Sequence, residues 1–169
     1  EFAKLNENIY TSVNIRLVNE MKMICDKINI DINNVLDLAN TKPFGFTKFE
    51  PGPGIGGHCI PIDPYYLYWK AKQSNIDAKF IKLAGETNEN TTNWVIKNFL
   101  KILNKEKLNS KKTKLLILGL SYKKNIEDTR ESASKKIIKR LNDKLKKIDI
   151  CEPYLKDKDS IITEDYKFL

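Results

Sequence analysis

The residues best suited to chemistry in this chain sit in one stretch, EPGPGIGGHCIPIDPYYL, residues 50–67. It holds the only histidine, His58, one of three cysteines, Cys59, and glycines at 52, 54, 56 and 57. A thiol a few residues ahead of a helix can serve as a nucleophile. The first helical turn presents free N–H groups and a partial positive charge, which favour an anionic sulfur. Asp63, four residues beyond Cys59, could position water or share a proton with a nearby lysine. Its plainer role is a helix N-cap, with Pro64 at the first helical position. Adjacent residues point apart, so no His58–Cys59 dyad is expected, and His58 is read as packing or bonding within the loop. The glycines, Gly54 and Gly56 among them, permit positive φ and close backbone approach. They either present N–H groups to an anionic or hydroxyl-rich ligand or make tight turns.

The elements that must carry these groups follow from periodicity. Ile9, Val13, Leu17, Met21, Ile24 and Ile28 recur at spacings of three and four, which predicts one long helix over residues 3–28 with an apolar stripe. Lys4 and Asn8, four apart, lie on one face of it and can act on the same small volume. Cys25 falls on its apolar side and reads as core. A short helix is expected over 31–40 with Asp31 as N-cap, a loop up to Asp63, and helices over 64–73 and 90–105. The polar stretch 106–112 reads as a linker. After it the period changes. KLLILGL, residues 114–120, is a buried parallel strand by pattern. A polar loop, a helix and a second strand at KKIDICEP complete a βαβ unit. Ligands of such sheets bind at the carboxyl ends of the strands, which puts Tyr122, Lys123 and Arg130 where a phosphate-bearing ligand would lie. Cys151, after the second strand, reads as structural. No terminal element is legible at EDYKFL. The fold class is therefore a mostly α helical domain, residues 1–105, followed by part of an α/β Rossmann-like domain, residues 113–169.

Bulk properties narrow the function classes. The formal net charge is +8, yet only three of the 30 basic residues are arginine. The lysines are spread along the chain without aromatic interleaving, so nucleic-acid binding is not expected. No apolar run approaches 18 residues, so no membrane span is expected. Three widely separated cysteines and one histidine give no zinc set. An odd cysteine count with no apolar leader points to a reducing, cytoplasmic compartment.

Three stretches, GPGIGGHCIPIDPYYL, AKLNENIYTSVNIRLVNE and LGLSYKKNIEDTRES, together resemble the UDP-glucose/GDP-mannose dehydrogenase family. NTKPFGF and GGHCIPIDP are most similar to its branch acting on UDP-N-acetylglucosamine and related UDP-N-acetylhexosamines. The resemblance implies an NAD-dependent oxidation of a UDP-sugar CH₂OH to a carboxylate; the alternatives are a UDP-glucose or UDP-N-acetylmannosamine dehydrogenase and a non-enzymatic UDP-sugar-binding or dimerisation module. It implies a helical central domain that forms a homodimer, and a cut-short UDP-binding domain. It also implies an NAD-binding domain that would precede residue 1. Cys59 matches the nucleophile that carries thiohemiacetal and thioester intermediates. Lys4 matches the lysine that stabilises developing oxyanion charge, Asn8 the asparagine that holds sugar or water, and Asp63 the aspartate that assists hydrolysis. Gly54, Gly56, Tyr122 and Lys123 match substrate contacts, and Arg130 matches an arginine near NAD. The family's arginine upstream of the glycine loop has no counterpart here; Lys42 or Lys48 would have to take its place without the bidentate fork.

Overall fold

The computed structural model describes residues 1–155 and 166–168. In chain order it contains α1 (Phe2–Lys27), α2 (Ile32–Ala39), α3 (Asp63–Gln73), α4 (Lys79–Lys105), β1 (Lys114–Leu118), α5 (Ala133–Leu141), β2 (Lys147–Cys151) and β3 (Tyr166–Phe168). The chain divides into two compact units. The first comprises Glu1–Gly54 and Cys59–Thr91, and the second Ile55–His58 and Thr92–Leu169. The division falls inside α4, whereas the composition shift read at 106–112 follows the end of that helix.

In the first unit, Val18 and Cys25 of α1 pack against Ile32 and Leu36 of α2, with Val35 and Phe49 alongside. Asp31 caps α2 as expected, its carboxylate accepting the Asn33 N–H at 2.9 Å. The chain reverses after α1 because Asn29 adopts φ +59° and Ile30 N–H reaches back to the Cys25 carbonyl at 2.9 Å. Asn75 closes α3 in the same left-handed conformation, with Ile76 N–H on Ala71 O at 3.0 Å. Asparagine tolerates this turn better than most residues, and the reversal satisfies carbonyls that the helix end would orphan.

The apolar stripe on α1 does not face the core of this chain. Leu17, Met21, Ile24 and Ile28 are 56%, 40%, 49% and 57% exposed, whereas Ser12, Arg16 and Asn19 are buried. Spacing identifies a stripe but not which face the rest of the fold occupies. Here the polar line is taken by the 50–63 stretch, leaving the apolar line outside.

In the second unit, β1, β2 and β3 form a parallel sheet in that order. Ile148 and Ile150 of β2 pack with Leu120, with Ile138 and Leu141 of α5 and with Ile96 and Leu103 of α4. Two expectations change. β1 was read as buried throughout, yet it alternates: Leu115 and Ile117 pack on the core while Leu116 and Leu118 are 47% and 76% exposed. Side chains alternate across a strand: Leu115 and Ile117 point to the face that packs with residues of α4 and α5, and Leu116 and Leu118 to the opposite face. β3 was not legible, being only three residues long within EDYKFL; it pairs through Ile148 opposite Tyr166. The expected domain 113–169 also runs across residues 156–165 and 169, which lie outside the described residues. α4 starts well before the helix read at 90–105. Gly85 lowers helix propensity ahead of residue 90, but Ala84 is buried at 8% exposure and belongs to the helix.

Candidate functional site

The polar face of α1 holds the chain on both sides of Cys59. Residues 8, 12, 16 and 19 follow one another at spacings of four, four and three, so they stack along one helical face. Asn8 Nδ2 donates to Asp63 Oδ2 at 2.6 Å. Ser12 Oγ donates to the Ile60 carbonyl at 3.1 Å. Asn19 Oδ1 accepts the Gly52 N–H at 2.8 Å. Three rungs of one helix thus hold residues 52, 60 and 63, which flank Cys59 in sequence. Lys4 lies one turn before Asn8 on the same line and is exposed. Arg16 is 2% exposed. Burial pushes its pKa below the usual guanidinium range, with the neighbouring Tyr65 phenol pulling the other way.

Cys59 is a half-buried free thiol. Its carbonyl accepts from Ile62 N–H at 3.1 Å and from Asp63 N–H at 2.8 Å, so the turn at Cys59 runs directly into α3. Asp63 is not the N-cap that its place before Pro64 suggested. The helix begins at Asp63 itself, with Ile62 as the capping residue and no side-chain cap bond. The physical reason is that the amides a capping Asp63 would meet, those of Tyr65 and Tyr66, donate instead to the Ile62 carbonyl at 3.0 and 3.3 Å, which leaves the carboxylate to Asn8. The sequence thus brings Asn8, Asp63 and the Cys59 backbone together.

The glycines ahead of Cys59 are required by neighbours within the second unit. A Cβ on Gly56 would lie 2.6 Å from Tyr122 Cβ and 2.9 Å from the Glu131 carbonyl oxygen. Gly57 has φ +87°, and a Cβ there would lie 2.8 Å from Tyr122 Cε2. Its N–H donates to the Arg130 carbonyl at 2.9 Å. The backbone at 56–57 therefore packs flat against Tyr122 and the 130–131 segment, and one of the amides read as a ligand donor is already engaged. Gly54, at φ +144°, is half-buried in the first unit. His58 is exposed.

The loop after β1 carries the remaining candidates. Tyr122 and Lys123 are exposed at its tip. Arg130 grips Asp128, with Nε 3.0 Å from both carboxylate oxygens and the terminal nitrogen 2.6 Å from Oδ2. The Arg130 side chain and amide hold the Asp128 pKa below its ordinary value. Lys42 Nζ sits over the Phe44 ring, 5.3 Å from its centroid. Lys48 pairs with Asp37 at 2.5 Å, which raises the lysine pKa.

Four successive amides of this loop are all bonded within the chain. Gly119 N–H donates to Cys151 O at 2.9 Å, and Tyr122 N–H to Asp128 O at 2.9 Å. Leu120 and Ser121 N–H both donate to Glu152 Oε2, at 2.8 and 2.9 Å. A dinucleotide-binding βα loop offers such amides to the pyrophosphate. The loop after β1 does not fit NAD in that manner. Sequence reading passed over Ser12, Asn19 and Glu152. The first two could have been found by extending the line from Lys4 and Asn8 along the helix; an acid directly after the second strand was the signal for the third.

The chain matches the model of the UDP-glucose/GDP-mannose dehydrogenase family central domain over residues 1–90, and that of the family's UDP binding domain over residues 116–169. It is 45% identical over 141 residues to a UDP-N-acetyl-D-mannosamine dehydrogenase of Methanococcus maripaludis, covering 83% of this chain and 31% of the relative. It is 36% identical over 155 residues to a UDP-N-acetyl-D-glucosamine 6-dehydrogenase of Salmonella typhi, covering 92% and 36%. The solved UDP-D-ManNAc dehydrogenase of Pyrococcus horikoshii superposes with a TM-score of 0.84 at 29% identity, covering 99% of this chain and 42% of that one. The chain spans about a third of the length of the curated relatives it matches. A central-domain match over more than half of its residues, joined to a UDP-binding-domain match in the expected order, makes the chain a member of the UDP-glucose/GDP-mannose dehydrogenase family.

Proposed function

We propose that the chain is the central and nucleotide-binding part of an NAD-dependent UDP-N-acetylhexosamine 6-dehydrogenase, which oxidises a sugar CH₂OH to a carboxylate. The observation that carries this reading is the Asn8–Asp63 hydrogen bond at the helix turn that begins at Cys59. The amide of Asn8 meets the carboxylate of Asp63 across 55 positions, one helical turn beyond Cys59, whose carbonyl accepts the Asp63 N–H. The named activities of the relatives, on N-acetylmannosamine and N-acetylglucosamine derivatives, support a 2-acetamido sugar and put both epimers first in a substrate panel.

The chain's own part is covalent and hydrolytic. Cys59 Sγ adds to the C6 aldehyde, which keeps that aldehyde from escaping and later yields a thioester. Lys4 stabilises the developing oxyanion. Asp63, held by Asn8, directs water onto the thioester and takes its proton. Gly54, Gly56, Lys42, Tyr122 and Lys123 are the proposed substrate contacts, and Arg130 is the proposed cofactor contact. NAD⁺ is the acceptor the family implies for the two hydrides removed, and in this proposal it is held mainly by a domain outside these residues. The exposed α1 stripe, continuous with an apolar groove of about 260 Å³ lined by Leu17, Met21, Val35, Phe46 and Phe49, supports association of two chains as a homodimer.

The test uses the whole enzyme that carries this chain, with UDP-sugar and NAD⁺. The expected yield is two NADH per sugar for the parent and at most one for Cys59→Ser, with carboxylate formation lost. Full carboxylate formation by Cys59→Ser would remove the nucleophile role. In this chain alone, iodoacetamide is expected to modify Cys59 well before the buried Cys25.

A further inference from the structure

Glu152 follows the last residue of β2 and is 5% exposed. In a dinucleotide-binding fold, an acid near this place accepts hydrogen bonds from a ribose, and the amides after β1 hold phosphate. Here the acid turns inward. Its Oε2 accepts both the Leu120 and the Ser121 N–H, and its Oε1 accepts the Tyr154 N–H at 3.2 Å. The carboxylate is thus an anion supplied by the chain itself, seated on the pair of amides that a phosphate would otherwise occupy. Burial pushes its pKa up, but the amides of Ser121, Leu120 and Tyr154 outweigh burial and hold it below the ordinary glutamate value. Two bonds on one oxygen fix residues 120 and 121, and the next amide, that of Tyr122, is fixed by Asp128 O. The side chains of Tyr122 and Lys123 therefore emerge from a loop whose amides at 119–122 are all bonded within the chain.

We infer that Glu152 is a positioning residue of the nucleotide loop: it fills the loop's anion seat, so that a nucleotide is met by the side chains of Tyr122 and Lys123 and a dinucleotide pyrophosphate is refused. This inference rests on the proposed UDP-sugar reading, which supplies the nucleotide. It adds the group that holds the loop in shape and the class of ligand the loop excludes.

The experiment is calorimetric titration of UDP, and separately of NAD⁺, into this chain as parent, Glu152→Gln and Glu152→Asp, with amide hydrogen exchange followed at Leu120, Ser121 and Ile150. Glu152→Gln keeps the size of the side chain and removes its charge. It is expected to weaken UDP by about tenfold or more, the factor that corresponds to about 1.4 kcal/mol. It should also speed exchange at Leu120 and Ser121 while Ile150 in the core stays protected. Glu152→Asp, which retains the carboxylate on a shorter stem, should recover part of the affinity. UDP binding by Glu152→Gln equal to that of the parent overturns the inference and leaves the UDP-sugar reading standing. So does NAD⁺ binding by the parent that Glu152→Gln abolishes, since that would make the acid a ribose acceptor. A parent chain that binds no UDP overturns the UDP-sugar reading for the second unit, and the positioning role with it. If Ile150 loses protection in Glu152→Gln, the decision passes to Glu152→Asp, and a loss of UDP affinity there as large as in Glu152→Gln counts against the inference.

Discussion

Replacing glycines one at a time by alanine separates close approach from backbone strain, because the glycines differ in which they need. Gly52 has nothing within 4 Å of an added Cβ and no positive φ, so Gly52→Ala is expected to be neutral or slightly stabilising. Gly45 has open space but φ +76°, so Gly45→Ala costs only the left-handed penalty, about 1–2 kcal/mol. Gly56 has no positive φ but meets Tyr122 Cβ at 2.6 Å and the Glu131 carbonyl at 2.9 Å, an overpacking cost of about 1–3 kcal/mol. Gly57 has both faults, φ +87° and Tyr122 Cε2 at 2.8 Å, and should cost about 2–5 kcal/mol. The two tryptophans, Trp69 and Trp94, fall one in each unit. Urea unfolding followed by Trp94 emission in a Trp69→Phe background reads Gly56 and Gly57; the converse background reads Gly45 and Gly52. A second substitution sharpens the test. Tyr122→Ala removes the ring atoms that oppose Gly57 but keeps the Cβ that opposes Gly56. It should therefore reduce the Gly57→Ala cost to the strain alone and leave the Gly56→Ala cost in place. If Tyr122→Ala rescues Gly56→Ala, or if Gly56→Ala is as harmless as Gly52→Ala, the close-packing account of the loop is wrong.

Other consequences follow from single contacts. Asn19→Ala removes the acceptor of the Gly52 N–H; because Gly52 is exposed, water can replace it, and the cost to the first unit in urea unfolding should be about 0.5–1.5 kcal/mol, with Asn19→Asp recovering part of it. If two chains associate through α1 as proposed, Leu17→Asp combined with Met21→Asp should leave a monomer by light scattering, while changing the stability of the monomer by less than about 1 kcal/mol, because both side chains are already exposed. Asp128 titrates below its ordinary value because of Arg130. Its contribution to stability is present above the unfolded carboxylate pKa and is lost as pH falls through the lower folded one; Arg130→Gln should raise the Asp128 midpoint in an NMR titration.

Legibility in the sequence followed the reach of each signal. Periodicity gave α1 and α2 to within a residue or two, and α5 and β2 nearly as well, because each carries a clear period or cap. The start of α4 was hidden by Gly85, and β3 by its length. The candidate residues are picked out by type and spacing: Lys4 with Asn8 by the four-residue repeat, and Cys59 with Asp63 by their place at a helix start. The bond between Asn8 and Asp63 spans 55 positions, and no local pattern carries that distance. Nor could local chemistry reveal that Gly56 and Gly57 answer to Tyr122, 66 and 65 positions away by number. Read locally, the glycines serve a ligand or tight turns; within the second unit Gly56 makes room for the Tyr122 Cβ and the Glu131 carbonyl, and Gly57 for the Tyr122 ring. The resemblance to a family identified residues, while the contacts show what holds them.

The face that α1 buries explains why its amphipathy runs opposite to that of an ordinary surface helix. Burying a side chain such as Leu17 or Ile24 fully would contribute about 1.5–3 kcal/mol each, and a helix selected only for the stability of one chain would turn them inward. Instead Ser12, Arg16 and Asn19 are inside. The polar line has a task the apolar line cannot perform, since the loop around Cys59 exposes backbone amides and carbonyls that need partners wherever it is covered. Ser12 meets the carbonyl of Ile60 and Asn19 the amide of Gly52, on either side of the thiol. Turning α1 over would bury more hydrocarbon and release the loop at both of these points together with Asp63. The arrangement follows if the helix is required to hold a reactive loop on one side and to meet a second chain on the other. Under that requirement Leu17, Met21, Ile24 and Ile28 are interface residues, and their exposure in a single chain is the expected result.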